Sequence, residues 1–184
     1  MRVTGGLAKG QQLIFPRKLN IRPTTDRTRE AVFSILTPLA YSWTRGLDLF
    51  AGTGALGIEA LSRDMEWIDF VDREPQCCAI IKQNLEKLGL DRNAGVHCCT
   101  VSKALTFLEN EYDVIFMDPP YSDTSIEKLI MQLDNSELLG DYTLLVVSHA
   151  SRVPLCDRYG SLHLIKGKRY GDTSLSVYCR EAYN

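Results

Sequence analysis

No apolar run in this 184-residue chain approaches the roughly 20 residues a helical membrane span needs. The opening stretch MRVTGGLAKG lacks the apolar core of a secretory signal, so a cytoplasmic location is expected. Histidine is scarce, with three residues, and the six cysteines form no C-x-x-C pair. Cys77-Cys78 and Cys98-Cys99 are vicinal, and neighbouring residues make poor disulfide partners. His97, Cys98 and Cys99 could in principle ligate zinc, but on a strand Cys98 and Cys99 point to opposite faces. No metal is therefore expected, and the cysteines read as small apolar residues bound for the interior. Internal repeats, low-complexity tracts and linkers are missing, which leaves one domain with at most a short appendage. With 45% apolar and 24% charged residues, disorder and fibre are both excluded as classes.

The charge is unevenly spread. Residues 1–46 hold eight basic and two acidic side chains, residues 47–151 hold seven and eighteen, and residues 152–184 hold six and three. Basic ends around an acidic centre suit ends that touch phosphate. A solvated surface of uneven charge would look the same by this measure alone.

Apolar stretches at Met1–Thr4 and Gln12–Phe15, separated by Gly5, Gly6 and Gly10, predict a β-hairpin. Thr24, Thr25 and Asp26 are helix-capping types, and Ala31, Phe33, Ile35 and Leu36 give an apolar face, so a helix is expected over 26–36. Strands then alternate with helices. Strands are expected at Gly46–Phe50, Trp67–Asp72, Val96–Thr100, Tyr112–Met117 and Thr143–Val147. Helices are expected over 54–63, from Pro75 to Gly89, over Lys103–Leu108 and over 124–133. This order means βαβ units and a parallel sheet. Two late strands, Leu162–Lys166 and Ser174–Cys179, have no helix between them and should pair antiparallel. The total is seven strands.

The chemistry concentrates in two turns. Gly52, Gly54 and Gly57 form G-x-G-x-x-G between a strand and a helix, inside Asp48-Leu49-Phe50-Ala51-Gly52-Thr53-Gly54. Asp72 ends the next strand, twenty residues after Gly52, where a carboxylate can take both ribose hydroxyls. The pattern alone leaves the cofactor open between a dinucleotide and S-adenosylmethionine. Asp48 suits a ligand bearing an ammonium and disfavours a pyrophosphate at the helix start. The second turn is Asp118-Pro119-Pro120-Tyr121 at the end of an apolar strand. Two prolines stiffen it and leave carbonyl oxygens free to accept. Asp118 adds an acceptor and Tyr121 a flat ring, which together suit an exocyclic amine on an extruded nucleobase.

DLFAGTG with DPPY resembles a class I S-adenosylmethionine-dependent amino-methyltransferase. The stretch Arg22-Pro23-Thr24-Thr25-Asp26-Arg27-Thr28-Arg29-Glu30-Ala31-Val32-Phe33 resembles the RPT-x-x-R-x-RE-A-x-F signature of the RsmD family. The earlier Gly5-Gly6 and Lys9-Gly10 fit it, as does Tyr170-Gly171-Asp172-Thr173. The resemblance implies an α/β, Rossmann-like seven-stranded sheet, mostly parallel with the last strand antiparallel. It implies a β-hairpin extension over 1–22 that contacts RNA and a methyltransferase domain over 23–184. The reaction it implies is methylation of the N2 amine of a guanine in bacterial 16S rRNA, in the small subunit or an assembly intermediate. Cofactor contacts then fall to Asp48, Phe50, Ala51, Gly52, Thr53, Gly54, Asp72, Arg73, Ser102 and Asp118. Asp118, Pro119, Pro120 and Tyr121 meet the target amine. Lys9, Arg17, Lys18, Arg22, Arg27 and Arg29 become phosphate contacts, with Thr25 or Arg29 as alternatives for the cofactor carboxylate. A monomer is expected.

Two departures from relatives stand out. Thr100-Val101-Ser102-Lys103 offers no acidic or amide side chain for the adenine amine, which leaves Ser102 as the candidate. Ser148-His149 replaces an acidic position, and His149 is read as a surface residue without a role. The rival readings are an adenine-N6 methyltransferase, a dinucleotide oxidoreductase and an RNA-binding assembly module. The first lacks room for a target-recognition segment, the second a substrate domain, and the third leaves DPPY unexplained.

Overall fold

A computed structural model describes residues 1–16, 24–40, 42–120 and 125–180. Helix α1 (Asp26–Leu36) starts where Thr25 caps it by accepting the Thr28 N–H, and it buries Val32, Phe33, Ile35 and Leu36. Five strands then run parallel: β1 (Arg45–Leu49), β2 (Trp67–Asp72), β3 (Ala94–Cys98), β4 (Tyr112–Met117) and β5 (Leu139–Ala150). Helices α2 (Ala55–Ser62), α3 (Pro75–Leu88), α4 (Val101–Ala104) and α5 (Ile126–Asp134) connect them. Pro75 opens α3 and Gly89, in the left-handed region at φ 68°, closes it.

The final strands are β6 (Arg158–Tyr159), β7 (Leu162–Tyr170) and β8 (Thr173–Cys179), giving the order β3-β2-β1-β4-β5-β8-β7-β6. β8 slots in antiparallel between β5 and β7. Among the described residues the sheet therefore has eight strands where seven were expected. The addition is the two-residue β6, too short to carry an alternating pattern of its own.

Both faces are covered, which explains the unbroken apolar runs of β4 and β5. One core joins α1, α2 and α3 to Phe70, Phe116, Val146 and Val177; the other joins α4 and α5 to Leu47, Ile115, Val147 and Tyr178. The order of connection reverses between β1 and β4, and the crevice outside their carboxyl ends is where such sheets hold ligands.

The N-terminal hairpin is present in miniature. Arg2 bridges Gln12, Val3 N–H donates to Gln11 O and Leu13 N–H to Met1 O. It is seated on the domain: Thr4 bonds Glu59, Gly5, Leu7 and Ala8 bond Ser62, and Val3 and Leu13 are buried. The expected boundary at 22/23 lies outside the described residues.

Three local expectations change. α4 covers Val101–Ala104, because Thr100 caps it by accepting the Lys103 N–H and so starts it early. Cys98 and Cys156 are exposed and Cys99 half-buried, so only Cys77, Cys78 and Cys179 are interior residues. His149 is buried, its ring nitrogens bonded to Val153 O at 2.9 Å and Ser176 Oγ at 3.0 Å, so it braces β5 against β8.

Candidate active site

The glycine turn is built from short-range contacts. Phe50 has φ 60°, Gly52 57° and Gly54 77°. Glycine takes that left-handed conformation freely, whereas at Phe50 it costs about 1–3 kcal/mol. Such strain concentrates where a ligand needs the backbone in one shape. Gly57 serves packing: a Cβ there would lie 2.3 Å from Phe70 Cε1. That close approach lets the Gly57 N–H donate to Asp48 Oδ2 at 2.8 Å.

Asp48 is 1% exposed. Burial pushes its carboxyl up to about 8, opposed by the Gly57 hydrogen bond and reinforced by the negative charges of Asp118 and Asp72. A buried acid so disposed calls for a cation beside it. Asp72, at the end of β2, accepts from Gly52 N–H through Oδ2 and from Glu74 N–H through Oδ1. It is thereby fixed at the rim. Asn84 of α3 ties the turn down further, donating to Thr53 O and accepting from Ile14 N–H.

The second turn stands beside the first. Asp48 pairs in register with Phe116 and Leu49 with Met117, so Asp118 leaves β4 alongside Phe50. Asp118 is half-buried, Pro119 buried and Pro120 exposed. Thr24 Oγ1 donates to Asp118 Oδ2 at 2.5 Å across 94 positions of sequence. Thr24 and Thr25 were both read as capping types; Thr25 caps α1, while Thr24 reaches the second turn. The N-cap consensus hid that role because both are threonines.

One cleft of about 1300 Å³ takes in both turns. Of the sequence-derived candidates, Asp48, Phe50, Ala51, Gly52, Thr53, Asp72, Arg73, Ser102, Asp118, Pro119, Pro120 and Arg27 border it, as does Thr25. Gly54 lies behind the lining, shaping the turn. Cys77 also borders it; burial, then the nearby carboxylates of Asp72 and Glu74, push its thiol up to about 12, so it is a neutral wall. The sequence reading gave no site role to Ser148, Arg169 and Tyr170, which border the cleft from β5 and the end of β7. Among the described residues no group of three or more His, Cys, Asp or Glu side chains could hold a metal.

The basic candidates divide. Arg27 is exposed at the cleft. Lys9 sits beside the far end of α2, where Leu7 N–H donates to Ser62 O, about one eight-residue helix length from the glycine turn. Arg29 is a correction. It is 0% exposed and bonds Thr24 O, Arg2 O and Asp26, with Glu59 at 3.8 Å. A guanidinium enclosed in this way holds the α1 entry in place and cannot reach an RNA phosphate or the cofactor. Arg17, Lys18, Arg22 and Tyr121 lie outside the described residues.

An open sheet with this switch point, closed by a reversed strand beside β5, is the fold of class I methyltransferases. A solved Escherichia coli structure titled "Putative methyltransferase yhhF" matches it with TM-score 0.87 at 30% identity, over 100% of this chain and 99% of that one. The family model described as "Conserved hypothetical protein 95" matches residues 1–179. The chain belongs to that family, the RsmD family. It is 36% identical to the Bacillus subtilis "Putative rRNA methyltransferase YlbH", over 97% of this chain and 98% of that protein. It is 33% identical to the Escherichia coli "Ribosomal RNA small subunit methyltransferase D", over 99% of this chain and 91% of that protein.

Proposed function

We propose that this protein transfers a methyl group from S-adenosylmethionine to the N2 amine of a guanine in bacterial 16S rRNA, within the small subunit or an assembly intermediate. The observation that carries the reading is the adjacency of Asp48 and Asp118 at neighbouring strand ends facing one cleft. The cofactor fits the first turn. Asp48 is a buried acid whose charged form an ammonium would restore, and Asp72 is fixed as an acceptor for ribose hydroxyls. When bound, the cofactor supplies an electrophilic methyl on a sulfonium.

The chain's own part is to hold and deprotonate the amine. An aromatic amine is a poor nucleophile because its lone pair is delocalised into the ring. Asp118 and the carbonyl oxygens of the proline turn accept its hydrogens, draw the nitrogen toward tetrahedral geometry and aim the lone pair. Asp118 takes the released proton, directly or through water. Much of the acceleration is positional. Tyr121 stacks on the swung-out base. The names of the Escherichia coli and Bacillus subtilis relatives support an rRNA substrate, and with it a cytoplasmic setting.

The test is transfer of labelled methyl to unmodified small subunits, naked 16S RNA and DNA, followed by identification of the modified nucleoside. N2-methylguanine in the particle is expected. N6-methyladenine, the product type named for a relative 28% identical over 66% of this chain, would overturn the guanine assignment.

A further inference from the structure

The last part of β7 carries Lys166, Lys168 and Arg169, all exposed, and no acidic residue falls within Leu162–Tyr170. Strand register sets their directions. Lys166 stands opposite Val177 and Lys168 opposite Leu175, both members of the α1-side core, so the two lysines share that face. Arg169 stands opposite Ser174 on the other face. The tip thus projects cations on both sides of the sheet.

The tip is braced. Arg169 Nε donates to Gly171 O at 2.9 Å, Ser151 Oγ donates to the same oxygen at 3.0 Å, and Ser151 N–H donates to Asp172 O. Lys168 Nζ lies 5.3 Å from the centre of the Tyr170 ring. Arg169 and Tyr170 border the cleft that holds Asp118, Pro119 and Pro120, and Arg27 of α1 borders it too. Among the described residues β6 pairs only with Leu162 and His163, so the outer edge of β7 beyond them has no strand partner. Lysines on a bare edge discourage pairing with other chains. That accounts for Lys166, but it does not account for Lys168 set beside the Tyr170 ring, nor for an arginine and a tyrosine that border the cleft.

We propose that the β7–β8 tip is a second arm of the RNA-binding surface, complementing Arg27. Lys168 and Arg169 hold backbone phosphates flanking the target nucleotide. Tyr170 presents its ring to an unpaired base. The partner is looped or single-stranded RNA, because a base must leave its stack to reach Asp118 in the cleft and a duplex keeps its bases stacked. This inference rests on the proposed function for the identity of the RNA.

The experiment uses the full chain and reads binding separately from catalysis. Filter binding of unmodified small subunits is measured against salt for the wild type and for the double variant Lys168→Glu, Arg169→Glu. Both side chains are exposed, so folding is retained, and a melting curve checks it. At about 0.1 M salt the variant is expected to bind about ten-fold or more weakly. Its log K against log salt slope should be shallower by about two, one for each phosphate contact removed. Binding of S-adenosylmethionine is expected to stay unchanged. Tyr170→Ala is expected to weaken binding about ten-fold with the wild-type slope, as a lost stacking contact would. Wild-type affinity and slope in the double variant would overturn the second arm while leaving the proposed reaction intact. Lost binding in a protein that methylates no guanine would overturn the reaction and support the arm.

Discussion

The two turns at the carboxyl edge of β1 and β4 each present an aspartate to one cleft, and they are built in opposite ways. Asp48 is closed off and answers to its own neighbourhood: its hydrogen-bond partner, Gly57, is nine positions away. Asp118 is half-open, and Thr24, which holds it, is 94 positions away. Arg29 in turn holds Thr24 by donating to its carbonyl at 2.7 Å, while sitting against Glu59. In the proposed reaction the first turn, closed by β1, α2, the end of β2 and Asn84 of α3, is the more local of the two and meets the ammonium end of the cofactor. The second is assembled across the fold, where a loaded substrate would meet residues of several elements. A binding pocket can be a property of one βα unit, whereas a site that must aim a second molecule draws on the whole sheet.

Removing Asp118 should break this contrast most sharply. Asp118→Ala is expected to lower methyl transfer about 1,000-fold or more, with cofactor affinity near wild type by equilibrium binding. Loss of both together would mean that the two turns do not divide the work. Next is the support behind Thr24. Arg29→Met should destabilise the protein by about 3 kcal/mol in denaturant titration, because Glu59 loses a buried partner. The salt slope of RNA binding should not change; a slope reduced by one would return Arg29 to the RNA contacts.

A finer cut is Thr24→Val, which keeps the shape and deletes the hydroxyl. An approximately ten-fold lower kcat is expected, with unchanged KM and recovery in Thr24→Ser. An unaltered kcat, or a loss that Thr24→Ser does not restore, would leave Thr24 a purely structural residue. The last test concerns Asp48 and is read against pH. Its carboxyl is raised above the unfolded value of 3.8 to about 8, so the folded state without ligand holds a proton that the unfolded chain has released. Stability should therefore fall as pH rises from about 4 to 8, by up to about 1.4 kcal/mol per pH unit. Asp48→Asn should flatten that slope in denaturation measured at several pH values, and an unchanged slope would assign the pH dependence elsewhere.

Legibility followed the range of the contacts. The bounds of α1, β2 and β4 agree with the expectation to the residue, since capping types and apolar runs mark them locally. The glycine turn was legible for the same reason, and Asp72 followed from its spacing. β6 was invisible, since two residues carry no period. His149 was misread because its partners lie on β8 and beyond β5. Arg29 was misread because it shares an arginine-rich stretch with Arg27, and charge alone does not tell an enclosed guanidinium from an exposed one. The inward one is recognisable only once Glu59, Asp26 and the carbonyls of Thr24 and Arg2 are seen around it.

By itself, the amino-acid sequence determined the order of elements, the parallel sheet, the two chemical turns and the resemblance to one family. All of these depend on residues within a helix or a strand's length of one another. Tertiary structure alone decided which threonine holds Asp118, which arginine faces solvent, and that the β7–β8 tip borders the same cleft as α1. Those outcomes depend on contacts closed over tens of residues, where the deciding quantity is what lies opposite a side chain in space.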